Sequence, residues 1–252
     1  MLSEESFNRL VLVEIGAAIA TALLLLFITA PYGRHARQGW GVMIPAKWAW
    51  LVMEMPASLG FLALYFLGSR AFQAVPLIFC AIWQLHYLQR TFVYPVLQRG
   101  LGRPWPLLVA LSGFSFQCLN GFVNARWISE RGSYDLDWLW SPQFLVGVFL
   151  FLVGFWINMQ SDAILRRLRQ PGDSSYHIPS GGMYRWVSCP NYFGEILEWT
   201  GWAVMTWSLP GLAFALYTIA NLGPRALAHH RWYQKEFSDY PAQRKALIPF
   251  LI

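Results

Sequence analysis

The chain has 252 residues, 56% of them hydrophobic and only 13% charged. A soluble domain carries roughly twice that share of charge, so the long apolar runs exclude a soluble globule and require a multi-span membrane protein. The net charge of +6 is scattered, with no basic block interleaved with aromatics, which argues against a nucleic-acid partner.

Fourteen Trp and eleven Tyr suit the aromatic belts of a membrane protein. The three cysteines, Cys80, Cys118 and Cys189, are far apart and odd in number, so neither a disulfide framework nor a metal site is expected. Glu4 and Glu5 precede the first apolar run where a signal peptide would carry basic residues, so no cleaved leader is expected.

In chain order, residues 10–30 form a first span, long enough at roughly 20 residues to cross the hydrocarbon core. A loop at 33–47 carries Arg34, His35, Arg37 and Lys47. A second span, 48–67, contains Glu54 and Pro56, and a third, 72–88, ends in the string His86-Tyr87-Leu88-Gln89-Arg90. A fourth, 105–123, leads into a polar loop at 124–141, and a fifth, 144–158, continues toward Asp162. The sixth and seventh, 193–207 and 212–222, are joined by the turn 208–211, and a basic, aromatic tail from Pro224 packs on the cytoplasmic face. The expected fold is therefore all-α, a bundle of seven transmembrane helices. With the N-terminus outside, the basic loops 33–47, 89–104, 162–192 and 224–252 all fall inside, as the positive-inside rule requires, and the C-terminus is cytoplasmic.

Some residues are costly where they stand. An acid at mid-membrane depth, such as Glu54, costs about 2.5–3.5 kcal/mol on insertion scales and marks a functional interior. Desolvation favours its neutral form, which donates a hydrogen bond. Tyr87 and Arg90, three apart, share a helical face, and a Tyr near a neutral Glu makes a two-donor site for a carbonyl oxygen. The stretch from Asn158 to Glu198 packs Asp162, Arg166, Arg167, Arg169, Asn191 and Glu195 around a turn-rich loop, a composition suited to an anionic, polar ligand. Near the C-terminus, Arg225, His229 and Tyr233 follow one another at i, i+4, which sets them on one helical face suited to phosphates. No GxGxxG turn and no Walker motif is present, so a nucleotide must be gripped by side chains between helices.

Three segments, LHYLQRTFVYPVLQRG, INMQSDAILRRLRQPGDSSYHIPSGGMYRWVSCPNYFGEILEWTGWA and HHRWYQKEFSDYPAQRKALIPF, resemble the steroid 5α-reductase (3-oxo-5α-steroid 4-dehydrogenase) family. The likeness is to a bacterial homologue of the vertebrate type 1 and 2 enzymes. It implies a single reductase domain over residues 1–252, with substrate-side helices over about 1–150 and the NADPH-binding part over about 151–252. It implies that Glu54 and Tyr87 hydrogen-bond the steroid 3-oxo group. The cofactor contacts implied are Asn158, Asp162, Arg169, Tyr176, Asn191, Glu195, Trp199, Arg225, His229 and Tyr233. The segment FQCLNGFVNARW departs from the vertebrate pattern, in a region expected to line the substrate entrance.

The expected activity is reduction of the Δ4 bond of a 3-oxo-Δ4-steroid by NADPH. The expected partners are the steroid and the bilayer, the expected state is a monomer, and the expected site is the inner membrane of a bacterium or the endoplasmic reticulum of a eukaryote. The rivals are a sterol C14 or C7 reductase, an S-adenosylmethionine-dependent membrane methyltransferase, and a non-enzymatic lipid transporter or binding protein.

Overall fold

A computed structural model describes residues 2–35, 37, 39–97, 104–168 and 175–252. Among these, seven long helices make the body of the protein. They are α1 (Glu4–Phe27), α2 (Ala46–Tyr65), α3 (Ala74–Leu88, running on through Gln89–Val93 into Tyr94–Leu97), α4 (Leu107–Arg131), α5 (Pro142–Leu168), α6 (Pro190–Thr206) and α7 (Leu209–Glu236). Four of them, α1, α2, α4 and α5, are long and apolar enough to cross a membrane. A short antiparallel pair, β1 (Met43–Ile44) with β2 (Trp105–Pro106), ties the loop after α1 to the start of α4. Its strands are too short to register in the hydrophobic pattern.

Two expectations are corrected here. The loop expected at 124–141 is helical as far as Arg131, because Val123, Ala125 and Ile128 are still buried on the inner face and prolong the helix. The seventh span, expected to end at residue 222, continues as helix through Pro224 to Glu236, so the face of Arg225, His229 and Tyr233 belongs to α7 itself. A proline inside a helix removes one hydrogen bond, and continuous packing can hold the helix across it. Here Leu222, Ala226 and Tyr233 stay buried on one side of that turn.

α1 shows how the lipid is met. Phe7, Val11, Glu14 and Ala18 recur at helical spacing on its buried face, which packs on α7. Leu12, Val13, Ile19, Leu23, Leu24 and Phe27 are exposed on the other side, an apolar surface that water would not tolerate at this size.

α2 and α3 each contain a wider, π-helical turn, at Pro56–Gly60 and Gln89–Val93. Pro56 has no N–H to give to the preceding turn, and the wider turn absorbs the mismatch. Carbonyls at these irregular turns find side-chain donors, as they must in a membrane. Trp83 Nε1 donates to the Ala57 carbonyl at 2.7 Å, and Thr91 Oγ1 donates to the Glu54 carbonyl at 3.4 Å. Trp50 Nε1 donates to the Arg90 carbonyl at 2.9 Å. The two irregular turns therefore lock α2 to α3 beside Glu54 and Tyr87.

α5 and α6 run antiparallel at very close range. Gly147 and Gly154 on one face Gly201 and Gly194 on the other, seven residues apart in each helix. A Cβ on Gly194 would lie 2.6 Å from both the Asn158 nitrogen and the Gly154 oxygen, so only hydrogen fits there. The main apolar core lies alongside, with Phe61, Tyr65, Phe79, Trp83, Phe151, Trp199 and Trp202 buried together.

Candidate active site

A cavity of about 620 Å³ opens between these helices. Its wall is drawn from the loop after α1 (Thr29 to His35), α2, α3, α4 with Trp105 ahead of it, the end of α5, residues 175–189, α6 and α7. The cavity has two chemically distinct ends.

Glu54 and Tyr87 stand at the apolar end, with Trp50, Met53, Phe116, Phe214 and Tyr217 around them. Both are buried, at 6% and 2% exposure. They do not touch each other. The side chain of Gln117 lies between them, its Nε2 donating to Glu54 Oε2 at 3.0 Å while its Oε1 accepts from the Tyr87 hydroxyl at 3.4 Å. Gln117 is itself braced by Asn120, whose Nδ2 donates to the same Oε1 at 3.3 Å. Asn124 donates in turn to Asn120 Oδ1 at 2.8 Å and accepts from Trp202 Nε1 at 2.9 Å. A row of carboxamides on one face of α4 thus runs from the cavity into the core.

A middle layer joins α3, α5 and α6. Arg90, stacked over Trp50 and Tyr94 with its guanidinium carbon 4.5 and 4.6 Å from their ring centres, pairs with Asp162 at 3.5 Å and Glu195 at 3.6 Å. Asn191 Nδ2 donates to Asp162 Oδ1 at 3.3 Å. Asn158 Nδ2 donates to the Asn191 carbonyl at 3.0 Å and to Glu195 Oε2 at 3.3 Å.

The far end is cationic. Arg225 donates to the Tyr192 hydroxyl at 2.9 Å and lies over the Tyr32 and Tyr192 rings. Arg34 lies over Tyr176, Trp232 and Tyr233, and its buried Nη1 has no partner among the described residues. Neither Arg34 nor Arg225 has a carboxylate partner among the described residues. His35 Nε2 meets His229 Nδ1 at 3.0 Å, and His229 Nε2 meets the Tyr192 hydroxyl at 3.1 Å. Burial, then the nearby Arg34, Arg225 and Arg37, push His35 down to about 4, so it is neutral at physiological pH and can share a proton with His229.

Of the residues expected from sequence, Glu54, Tyr87, Asp162, Tyr176, Asn191, Glu195, Arg225, His229 and Tyr233 all line this one cavity. Asn158 and Trp199 stand behind its wall. Asn158 supports Asn191 and Glu195, while Trp199, 1% exposed, packs against His86 and Tyr87 with ring centres 4.6 and 5.5 Å away. Arg169 lies outside the described residues. The sequence reading missed Gln117, although its i, i+3, i+7 series with Asn120 and Asn124 in an apolar helix was a visible signal. It also missed Arg34 and His35 as site residues, since their charge was already accounted for by topology.

This polarity defines a class: a helical membrane protein with four helices able to span a membrane among the described residues and a cavity that is apolar at one end and cationic at the other. The chain belongs to the 3-oxo-5-alpha-steroid 4-dehydrogenase family, whose model matches residues 103–252. It is 44% identical over 239 residues to the steroid 5-alpha-reductase DET2 of Gossypium hirsutum, covering 93% of each chain. It is 43% identical over 247 residues to the 3-oxo-5-alpha-steroid 4-dehydrogenase 1 of Rattus norvegicus, covering 97% of this chain and 95% of that one. The corresponding human enzyme is 44% identical over 224 residues, covering 87% and 85%.

Proposed function

We propose that this chain reduces the Δ4 double bond of a 3-oxo-Δ4-steroid to the 5α-reduced 3-oxosteroid with NADPH, inside a seven-span bundle with its N-terminus outside and its C-terminus cytoplasmic. The observation that carries the reading is the joining of Glu54, Gln117 and Tyr87 at the apolar end of a cavity whose other end holds two arginines with no carboxylate partner among the described residues. Family membership favours this reading over the methyltransferase and transporter alternatives.

The cationic end fits NADPH on its own chemistry. A buried guanidinium nitrogen without a partner costs free energy in the empty protein, and a phosphate oxygen would satisfy it. Arg34 and Arg225 would hold phosphates, with His229, Tyr233 and Tyr176 alongside. Arg90, by contrast, already has Asp162 and Glu195, so this middle layer offers the cofactor polar atoms held in place rather than a free cation. When bound, NADPH supplies the hydride equivalent.

The rest falls to the chain's own side chains. Trp50, Met53, Phe116 and Phe214 exclude water from the steroid ring system. Glu54, as its neutral acid, and Tyr87 donate to the 3-oxo oxygen, where negative charge collects as C5 is reduced. Such donors are worth most in a dry site and when held in place beforehand, which is the part played by Gln117 and the carboxamide row behind it. The direct test is to incubate detergent-purified protein with a Δ4-3-oxosteroid and NADPH and identify the product by mass and stereochemistry. Formation of the 5α-reduced 3-oxosteroid, faster with NADPH than with NADH, is expected. No conversion of any Δ4-3-oxosteroid overturns the proposal.

A further inference from the structure

One buried acid–base pair is not used by the chemistry above. His86 Nδ1 lies 2.7 Å from Glu198 Oε1, with side-chain exposures of 3% and 0%. Glu198 reaches this position from α6, and its other oxygen, Oε2, is buried with no partner among the described residues. His86 is thus the one hydrogen-bond partner of Glu198 among the described residues. With Nδ1 committed, the ring's Nε2 has no hydrogen bond among the described residues, and His86 lines the cavity. Its ring centre is 4.9 Å from that of Tyr87, the next residue. The other cavity imidazoles, His35 and His229, bond to each other at the cationic end.

We infer that His86 is a catalytic residue, the proton donor to C4 of the steroid, and that Glu198 is its positioning partner. The inference rests on the function proposed above. If Tyr87 and Glu54 hold the oxygen on C3, then C4, bonded to C3, lies within a few ångströms of Tyr87, and His86 lines the same cavity with its ring centre 4.9 Å from that of Tyr87. The pair shares one proton that counts, as imidazolium with carboxylate or as imidazole with carboxylic acid. After a nicotinamide cofactor has reduced C5, the substrate is an enolate. Its electron pair takes the proton from Nε2 of His86, so the N–H bond breaks and the C4–H bond forms. His86 is left neutral with Nδ1–H bonded to the Glu198 carboxylate, and water returns the proton. Nothing else is oxidised or reduced. A buried carboxylate fixing the tautomer and orientation of a cavity imidazole is a recurrent arrangement for proton transfer. The charged groups around His86 are Glu54 from α2, Arg90 from its own helix, Asp162 from α5 and Glu195 from α6.

A structural role is the rival: the pair could simply tie α3 to α6. The two are separated by the reverse half-reaction, which needs no hydride. Protein with bound NADP⁺ and a saturated 3-oxo-5α-steroid in D₂O should exchange one C4 hydrogen stereospecifically, followed by mass spectrometry and NMR. His86→Gln should slow that exchange roughly 10²–10⁴-fold, the usual contribution of a positioned acid or base, while NADP⁺ binding persists. A merely structural His86 would lower yield and melting temperature, with the surviving protein exchanging at the wild-type rate, and that outcome overturns the assignment. Absence of C4 exchange in the wild type overturns it as well. If His86→Gln does not fold, Glu198→Gln decides on the same readout, since it keeps shape but cannot stabilise an imidazolium. Wild-type exchange in Glu198→Gln then counts against the pair. Failure of the wild type to reduce a Δ4-3-oxosteroid with NADPH would instead remove the function proposed above.

Discussion

At the scale of single residues, Glu54 and Tyr87 are joined only through Gln117, and this sets how they should respond to mutation. Glu54→Gln keeps the size but is a weaker acid, and Tyr87→Phe removes one donor. If both act on one developing oxyanion, each should lower single-turnover reduction by roughly 10²–10³ with cofactor binding near normal. The double variant should fall short of the product of the two losses, since both act on one oxygen. Wild-type rates in both single variants would end the carbonyl-polarising role. A different prediction concerns Glu14, fully buried in α1 with neither carboxyl oxygen partnered among the described residues. An unpartnered buried polar group costs about 1–3 kcal/mol, so Glu14→Leu should raise the melting temperature in detergent and leave turnover unchanged. A lower melting temperature would mean that Glu14 has a partner. Glu54 was legible in the sequence because it sits in a span interrupted by Pro56. Glu14 was hidden near the end of an unbroken run. Gln117 was hidden because an amide is a weaker anomaly than a charge.

At the scale of elements, the irregular and the very close contacts matter most. The π-helical turns of α2 and α3 flank the site, and Pro56 was the sequence signal for one of them. The turn at Gln89–Val93 had no such signal, since its partners, Trp50 and the Glu54 carbonyl, are defined only by packing. Helix ends were the least legible feature. Polarity ends a span in the sequence, but here α4 and α7 continue past the apolar stretch by packing on neighbours, so the ends expected at 123 and 222 fall too early. The Gly-to-Gly seam between α5 and α6 gives a sharp test. Alanine favours a helix by up to about 1 kcal/mol over glycine where there is room. At Gly194 there is none, because the new methyl would meet the Asn158 nitrogen and the Gly154 oxygen, and backbone cannot swing aside. Overpacking of this kind costs about 1–3 kcal/mol. Gly194→Ala should therefore lower thermal stability, and weaken cofactor binding too, since Asn158 carries Asn191 and Glu195. Gly16→Ala, where nothing lies within 4 Å, is the control and should be neutral or stabilising. Equal melting temperatures for Gly194→Ala and the wild type would contradict the close approach.

For the whole molecule, orientation and cavity polarity are one argument. On the proposed orientation, with the N-terminus outside, the loop carrying Arg34 and the end of α7 carrying Arg225 and His229 would both reach the cytoplasmic side, where a nucleotide is available. Reporters fused at Arg131 and at Ile252 should then show opposite sidedness, and the same sidedness at both would remove the seven-span arrangement. Arg34, from the half expected to serve the substrate, lines the same cavity as Arg225 and His229. Its role can be tested without turnover. In the ligand-free protein its Nη1 has no partner among the described residues, while the guanidinium lies over Tyr176, Trp232 and Tyr233. Arg34→Ala should accordingly lower the melting temperature of the ligand-free protein somewhat, through the lost ring contacts. The stabilisation that NADPH brings should fall, because a ligand far above its Kd stabilises in proportion to the logarithm of its affinity. A loss of 10- to 100-fold in affinity corresponds to about 1.4–2.7 kcal/mol of that stabilisation. Arg225→Ala should show the same loss with some fall in the ligand-free protein, because Arg225 also donates to Tyr192. If one of the two meets a phosphate that NADH lacks, its removal narrows the preference for NADPH over NADH, and if both meet the shared phosphates the preference survives both changes. An NADPH-induced shift that is undiminished in both variants would contradict a phosphate site at this end of the cavity.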